Sequence, residues 1–266
     1  MGWITQERWR PTTAVAVEQF EHSVAVRVLG SFRVFRDGVP VPLREWQSRK
    51  ARDLLKLLIA RLGRPVPRDW LLEALWPEQD PRRTRPRLSV ALSTVRGVLD
   101  PVHRFDAEHY VAATRDAIAV DTGTLLVDLH DFVAQAEAAL SLAHSDPGQS
   151  AVPMLEAAEA AYGGDFLEDE LYEEWTIVPR EQARAIYIAV TRELIERAAA
   201  RADHGSITRF GLRLLELDPY DEGAHLGVVA ARTAERAHGE AQRAYHVYVA
   251  RMNEIDVRPA PFPQTP

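Results

Sequence analysis

A change of apolar period constrains this chain more than any other feature. Over residues 24–43, Val26, Val28, Phe32 and Val34 fall on alternate positions, the period of strands with one buried face. Asp37-Gly38 interrupts them as a hairpin turn, because glycine takes positive φ at little cost. Pro40 and Pro42 mark an edge strand, since proline cannot donate to a ladder. Over 47–62 the spacing lengthens. Leu54, Leu55, Leu58 and Leu62 share one helical face, and Arg49, Lys50, Arg52 and Lys56 fill the rest. Ser48 can cap this helix and Gly63 can end it.

A second short helix is expected after Pro67, carrying Trp70, Leu71, Leu72, Leu75 and Trp76, with Pro77 as its stop. The next stretch, WPEQDPRRTRPRLSVALSTVRGVLDP, gathers four arginines into residues 81–87. The spacing predicts a loop over 76–85 and a third helix from Pro86, whose fixed φ suits a first helical position. In that helix Leu88, Leu92, Val95 and Leu99 form the buried stripe. Arg87, Ser89, Val90, Ser93, Thr94 and Gly97 face the other way, and Arg96 flanks the boundary. YVAATRDAIAV, 110–120, reads as a short hairpin turning near Arg115-Asp116. Strands, three helices and a closing hairpin predict a winged helix over 24–121.

Charge then suggests a partner. The net charge is −7, yet it is divided unevenly. Residues 1–115 hold 20 basic and 13 acidic side chains, or +7, and residues 116–266 hold 12 and 26, or −14. A positive part facing a polyanion follows from such a split. The polar face of the third helix fits a DNA major groove, and arginines at its N-terminal side can grip phosphates. The candidate DNA-binding residues are therefore Arg82, Arg83, Arg85, Arg87, Ser89, Val90, Ser93, Thr94 and Arg96. The plain alternative is a set of solvated loop arginines, or arginines that pair with the acidic second part.

From residue 129 the pattern is almost wholly helical, with segments expected at 129–143, 149–162, 172–202, 206–217, 221–236 and 240–253. HGSITRFGLRL at His204 and HGEAQRAYHVY at His238 repeat weakly at an offset of 34, the tetratricopeptide period, and Arg209 matches Arg243. An antiparallel bundle is the other solution to the same pattern. The acids of FLEDELYEEW, 166–175, read as a solvated helix start rather than a metal site. Gly163-Gly164 reads as a helix stop, not as part of a cyclase signature.

No catalytic constellation is present. The nine histidines have no metal-ligand spacing, and there is no nucleophile elbow or phosphate-binding glycine loop. With no cysteine, disulfides, thiolate metal sites and thiol nucleophiles are excluded, and a cytoplasmic location fits. We expect no enzyme activity, no cofactor and no metal. No stretch approaches the ~20 apolar residues of a membrane span.

The order VRVLGSFRVFRDGVPVPL, SRKARDLLKLLIARLGRPVPRDWLLEALWPE and RPRLSVALSTVRGVLDP resembles the amino-terminal half of the SARP family, the Streptomyces antibiotic regulatory proteins. Residues 127–261, with VDLHDF, LELDPYDEGAH and AYHVYVARM, are similar to that family's bacterial transcriptional activator domain. The resemblance implies an α+β winged-helix domain followed by an all-α, tetratricopeptide-like helical domain. It implies a DNA-binding domain over 24–121, an activator domain over 122–258 and a tail over 259–266, while residues 1–23 exceed what the fold needs and read as an N-terminal arm or an upstream start. It also implies a transcriptional activator that binds promoter repeats in double-stranded DNA as a homo-oligomer and contacts RNA polymerase. The wing would be 110–120, with Arg115 as its DNA-binding residue. One departure stands out. The recognition face carries Pro86, Ser89, Thr94 and Gly97 where family members commonly place basic or amide residues. That thin face motivates a second reading, a helical-repeat protein-interaction module whose winged helix no longer binds DNA.

Overall fold

The computed structural model of the chain describes residues 24–146, 148–170 and 172–263. The expected arm, 1–23, lies outside the described residues, as do the last three residues of the tail. The chain divides into two compact units, 1–132 with 161–183, and 133–160 with 184–266.

The first unit opens with strands β1 (Val24–Arg27), β2 (Arg33–Arg36) and β3 (Val39–Pro40). β1 pairs antiparallel with β2, and Asp37 (φ 51) with Gly38 (φ 74) turns β2 into β3. Two consecutive positive φ values match the right-handed twist of the flanking strands, which is why an Asp-Gly pair stands there. β3 is an edge strand, as Pro40 predicted. A strand that the sequence reading missed, β7 (Leu125–Val127), completes the sheet by pairing parallel with β1. Its three residues are too few to show alternation.

Helices α1 (Arg49–Ile59), α2 (Arg68–Leu75) and α3 (Pro81–Leu99) follow the first sheet. Leu54, Leu55, Leu58, Leu71, Leu75, Leu88 and Val95 are buried between them. α1 is shorter than expected at both ends. Ser48 occupies the capping position without a side-chain cap bond, and the helix has ended before Leu62 (φ 50) and Gly63 (φ 74). Leu62 consequently leaves the buried stripe and is exposed. A second sheet holds the hairpin β5 (Val111–Ala113) and β6 (Ala117–Val120), braced by the two-residue β4 (Val66–Pro67) in the order β4-β6-β5. At the coarse level this is a mixed-sheet region that fits a winged-helix arrangement, followed by a helical region.

The same unit takes back a later segment. The acids of 166–175 were expected to mark a helix start, but residues 163–170 run as irregular backbone, and a 3₁₀ turn forms at Glu174–Thr176. The cause is Phe166 and Leu167, both fully buried. Leu29 bridges Phe166, Leu167 N donates to Val28 O at 2.8 Å, and Gly30 N donates to Asp165 O at 2.9 Å. Arg180 closes the segment by donating to the carbonyls of Phe166 (3.0 Å) and Leu167 (2.9 Å). The acids are not merely solvated. Lys56 Nζ donates to Glu170, and Ser31 Oγ donates to Glu168 at 3.2 Å. Gly164 (φ 142) allows the crossing, because side-chain-bearing residues rarely adopt that backbone conformation.

The helices named so far are followed by α4 (Asp128–Ser145), α5 (Val152–Ala161), α6 (Ile177–Ala200), α7 (His204–Leu217), α8 (Glu222–Ala234) and α9 (His238–Glu254). In the second unit, α7 packs on α8 and α8 on α9. Asp203 and Asp221 cap α7 and α8 by accepting from Ser206 N and Ala224 N. His204 and His238 are each the first residue of their helix, and the repeat holds in burial. Ile207 and Ala241 are buried, as are Leu214 and Tyr248. At Gly211 the α7–α8 contact leaves no room for a side chain, because a Cβ would meet Val228 at 2.7 Å.

Candidate nucleic-acid interface

α3 begins five residues earlier than the sequence spacing suggested. Asp80 caps it by accepting from Arg82 N at 2.9 Å, and Pro81, not Pro86, takes the first helical position. Thr84 points inward and is buried, with its hydroxyl donating to Asp80 O. Pro86 lies inside the helix. An interior proline typically costs about 3 kcal/mol, which the burial of Leu88, Ala91, Leu92 and Val95 on the same helix offsets. The expected arginine loop is thus corrected to two turns of helix, and Arg82, Arg83, Arg85 and Arg87 have fixed positions on it.

Steps of three and four residues arrange the outer surface in two rows. One row runs Arg83, Arg87, Val90, Thr94, Gly97, and the next runs Arg82, Arg85, Ser89, Ser93, Arg96. All of these are exposed except Thr94, Arg96 and Gly97, which are half-buried. The N-terminal two turns are cationic, and the C-terminal half is small and nearly uncharged.

The individual contacts separate the residues by role. Arg82 and Arg83 make no side-chain hydrogen bond or ion pair among the described residues. Arg87 Nη1 donates to Gln79 Oε1 at 2.8 Å, and Arg85 lies 3.4 Å from Asp69. Ser89 Oγ donates to Arg85 O at 3.3 Å, and Thr94 Oγ1 donates to Val90 O at 3.0 Å. Arg96 donates to Val111 O through both Nη2 (2.8 Å) and Nε (3.3 Å), which ties α3 to the first hairpin strand. Arg115 is exposed at the hairpin turn. At the other end of the unit, Arg36 donates to Val98 O at 3.2 Å, so the first sheet anchors the end of α3.

An open concavity of about 540 Å³ lies between the start of α2, the outer side of α3 and the hairpin turn. Arg68, Arg85 and Arg115 line it together with Ser89, and the acids Asp69 and Asp116 temper the charge. Arg68 was missed in the sequence reading. It donates to Thr114 O at 3.0 Å and braces the hairpin against α2. Its place directly after Pro67, at the start of a helix, was the available signal. Three guanidinium groups beside a helix start suit phosphate oxygens. Among the described residues, no three His, Asp or Glu side chains are placed to hold a metal ion, and no helix is long and apolar enough to cross a membrane.

Comparison with known proteins decides the lineage. The family described as bacterial transcriptional activator domain matches residues 127–262, just over half of the chain. The chain belongs to the bacterial transcriptional activator domain family. It is of the SARP regulator type that its sequence resembles. Curated relatives are the transcriptional regulatory protein EmbR of Mycobacterium bovis and of Mycobacterium tuberculosis, each 30% identical over 142 residues. That match covers 53% of this chain and 36% of theirs, so the chain spans about a third of the length of these relatives. A solved structure of Mycobacterium tuberculosis EmbR, in complex with a low-affinity phosphopeptide, superposes with a TM-score of 0.71 at 24% identity. It covers 91% of this chain and 63% of that one, and it establishes a common fold. The family is one of transcriptional regulators rather than of enzymes.

Proposed function

We propose that this family member binds double-stranded DNA through the outer face of α3 and the β5–β6 hairpin, and activates transcription from the promoters it occupies. One observation carries the reading. Arg82, Arg83, Arg85 and Arg87 stand on the exposed side of a helix whose other side is buried. Four outward guanidiniums on a rigid support, in a chain of net charge −7, make a local polyanion site. Arg85, Arg115 and Arg68 hold phosphates across the concavity, and Ser89, Val90, Ser93 and Thr94 face the base edges. Arg96 holds the hairpin at its distance from the helix. In this proposal residues 24–121 act as the winged helix. Residues 122–258, with tetratricopeptide-like packing of α7 to α9, contact RNA polymerase, and the chain works as a homo-oligomer on DNA in the cytoplasm.

Fluorescence anisotropy with a labelled duplex, titrated over salt, tests this. Each phosphate contact contributes roughly −0.9 to the slope of log affinity against log salt. Replacing Arg82 and Arg83 together with Ala is expected to weaken binding at low salt and flatten the slope by about two contacts' worth. Their side chains support nothing else in the fold, so thermal stability is expected to stay within about 0.5 kcal/mol. Failure of the wild-type chain to bind any duplex at low salt would reject DNA binding and leave the protein-interaction module as the reading.

A further inference from the structure

The carbon-rich half of α3 has a chemistry of its own. Guanine is read in the major groove by donors, usually a bidentate arginine, and adenine by an amide. Between residues 89 and 97, α3 offers almost none. Arg96 is committed to Val111 O, and the hydroxyl hydrogens of Ser89 and Thr94 are committed to the helix carbonyls of Arg85 and Val90. Gly97 presents no side chain. In the middle of this face stands Val90, a branched apolar residue 65% exposed and a poor choice for an exposed helix position on propensity alone. Thr94 lies one turn on in the same row, its hydroxyl turned to the helix and its methyl and an acceptor lone pair left over. Ser93 keeps an uncommitted hydroxyl among the described residues.

We propose that α3 selects DNA by the 5-methyl groups of thymine, with Val90 as the specificity-determining residue and Thr94 beside it. This rests on the DNA-binding reading and deepens it. The thymine methyl is the one apolar feature that a base edge shows in the major groove. A helix with methyl groups where others carry donors gains there and gains nothing at guanine. The arginines upstream supply affinity without sequence, and Val90 supplies the choice.

The test begins by selecting duplexes from a random pool with the full chain. The enriched duplex is then made with deoxyuridine in place of each thymidine in turn, which removes only the methyl. At one or two adjacent positions, loss of the methyl is expected to weaken wild-type binding about fourfold, the worth of one buried methyl. Val90→Ser is expected to bind thymine and uracil duplexes alike at those positions, with an unchanged salt slope and melting temperature. Equal affinity for thymine and uracil at every position overturns the proposal, as does a pool from which nothing is enriched, and in both cases salt-dependent DNA binding still stands. Loss of all duplex binding at low salt removes both readings.

Discussion

Asp128, the first residue of α4, accepts from Val28 N (2.8 Å), Leu29 N (3.1 Å) and Leu129 N (2.8 Å). It therefore satisfies the backbone where β1 ends and ties the first residue of α4 to the end of that strand. Burial pushes its carboxyl up to about 7, against the pull of those three donors. The sign follows from proton binding. In the unfolded chain an aspartate releases its proton near pH 4, whereas in the folded chain it keeps the proton to about pH 7. The folded state binds more protons across that window, so this group's contribution to stability is full below pH 4 and is lost as pH rises through about 7. Asp128→Asn cannot titrate. Its urea midpoint is expected to change less between pH 5 and 8 than that of the wild type, and an identical pH profile for the two chains would refute the assignment. Asp128 was not visible as special in the sequence, because its partners lie about 100 residues away.

Elements defined by local periodicity were legible, and elements defined by distant partners were not. The Asp37-Gly38 turn, the stripe Leu88, Leu92, Val95 and Leu99, and the 34-residue offset between His204 and His238 are local patterns, and each has its counterpart in the fold. The start of α3 was misread because two prolines compete for the first helical position, and only the Asp80 cap decides between them. β7 and the 163–173 segment were missed because nothing nearby in sequence reports that Leu125 pairs with Val24 or that Phe166 bridges Leu29. That segment is a working part of the first unit, and it leads to a prediction. Phe166→Ala is expected to destabilise the first unit by about 3–5 kcal/mol, the usual cost of emptying a buried aromatic site. Urea unfolding followed through the fluorescence of Trp46, Trp70, Trp76 and Trp175, all in that unit, measures it. A loss under 1 kcal/mol would show that the segment is dispensable.

Across the whole molecule, charge and compactness are divided at different places. The basic excess ends near residue 115, yet acids from 163–173 fold with the basic region, where Glu170 meets Lys56 and Glu173 lies 3.9 Å from Arg49. Part of the positive charge of the first unit is thereby neutralised within the unit, and Arg82 and Arg83 are left as cations directed at solvent. The proposed DNA site is therefore the outer face of α3 with the β5–β6 hairpin beside it, and not the basic region at large. The absence of cysteine makes that claim directly measurable. Ser93→Cys puts a single thiol on the outer face of α3, and Leu212→Cys puts one on an exposed position of α7. The alkylation rate of each is measured with and without saturating duplex DNA at low salt. Strong protection of the thiol at 93 and little change at 212 is the expected outcome. An unprotected thiol at 93 on a DNA-bound chain would contradict it.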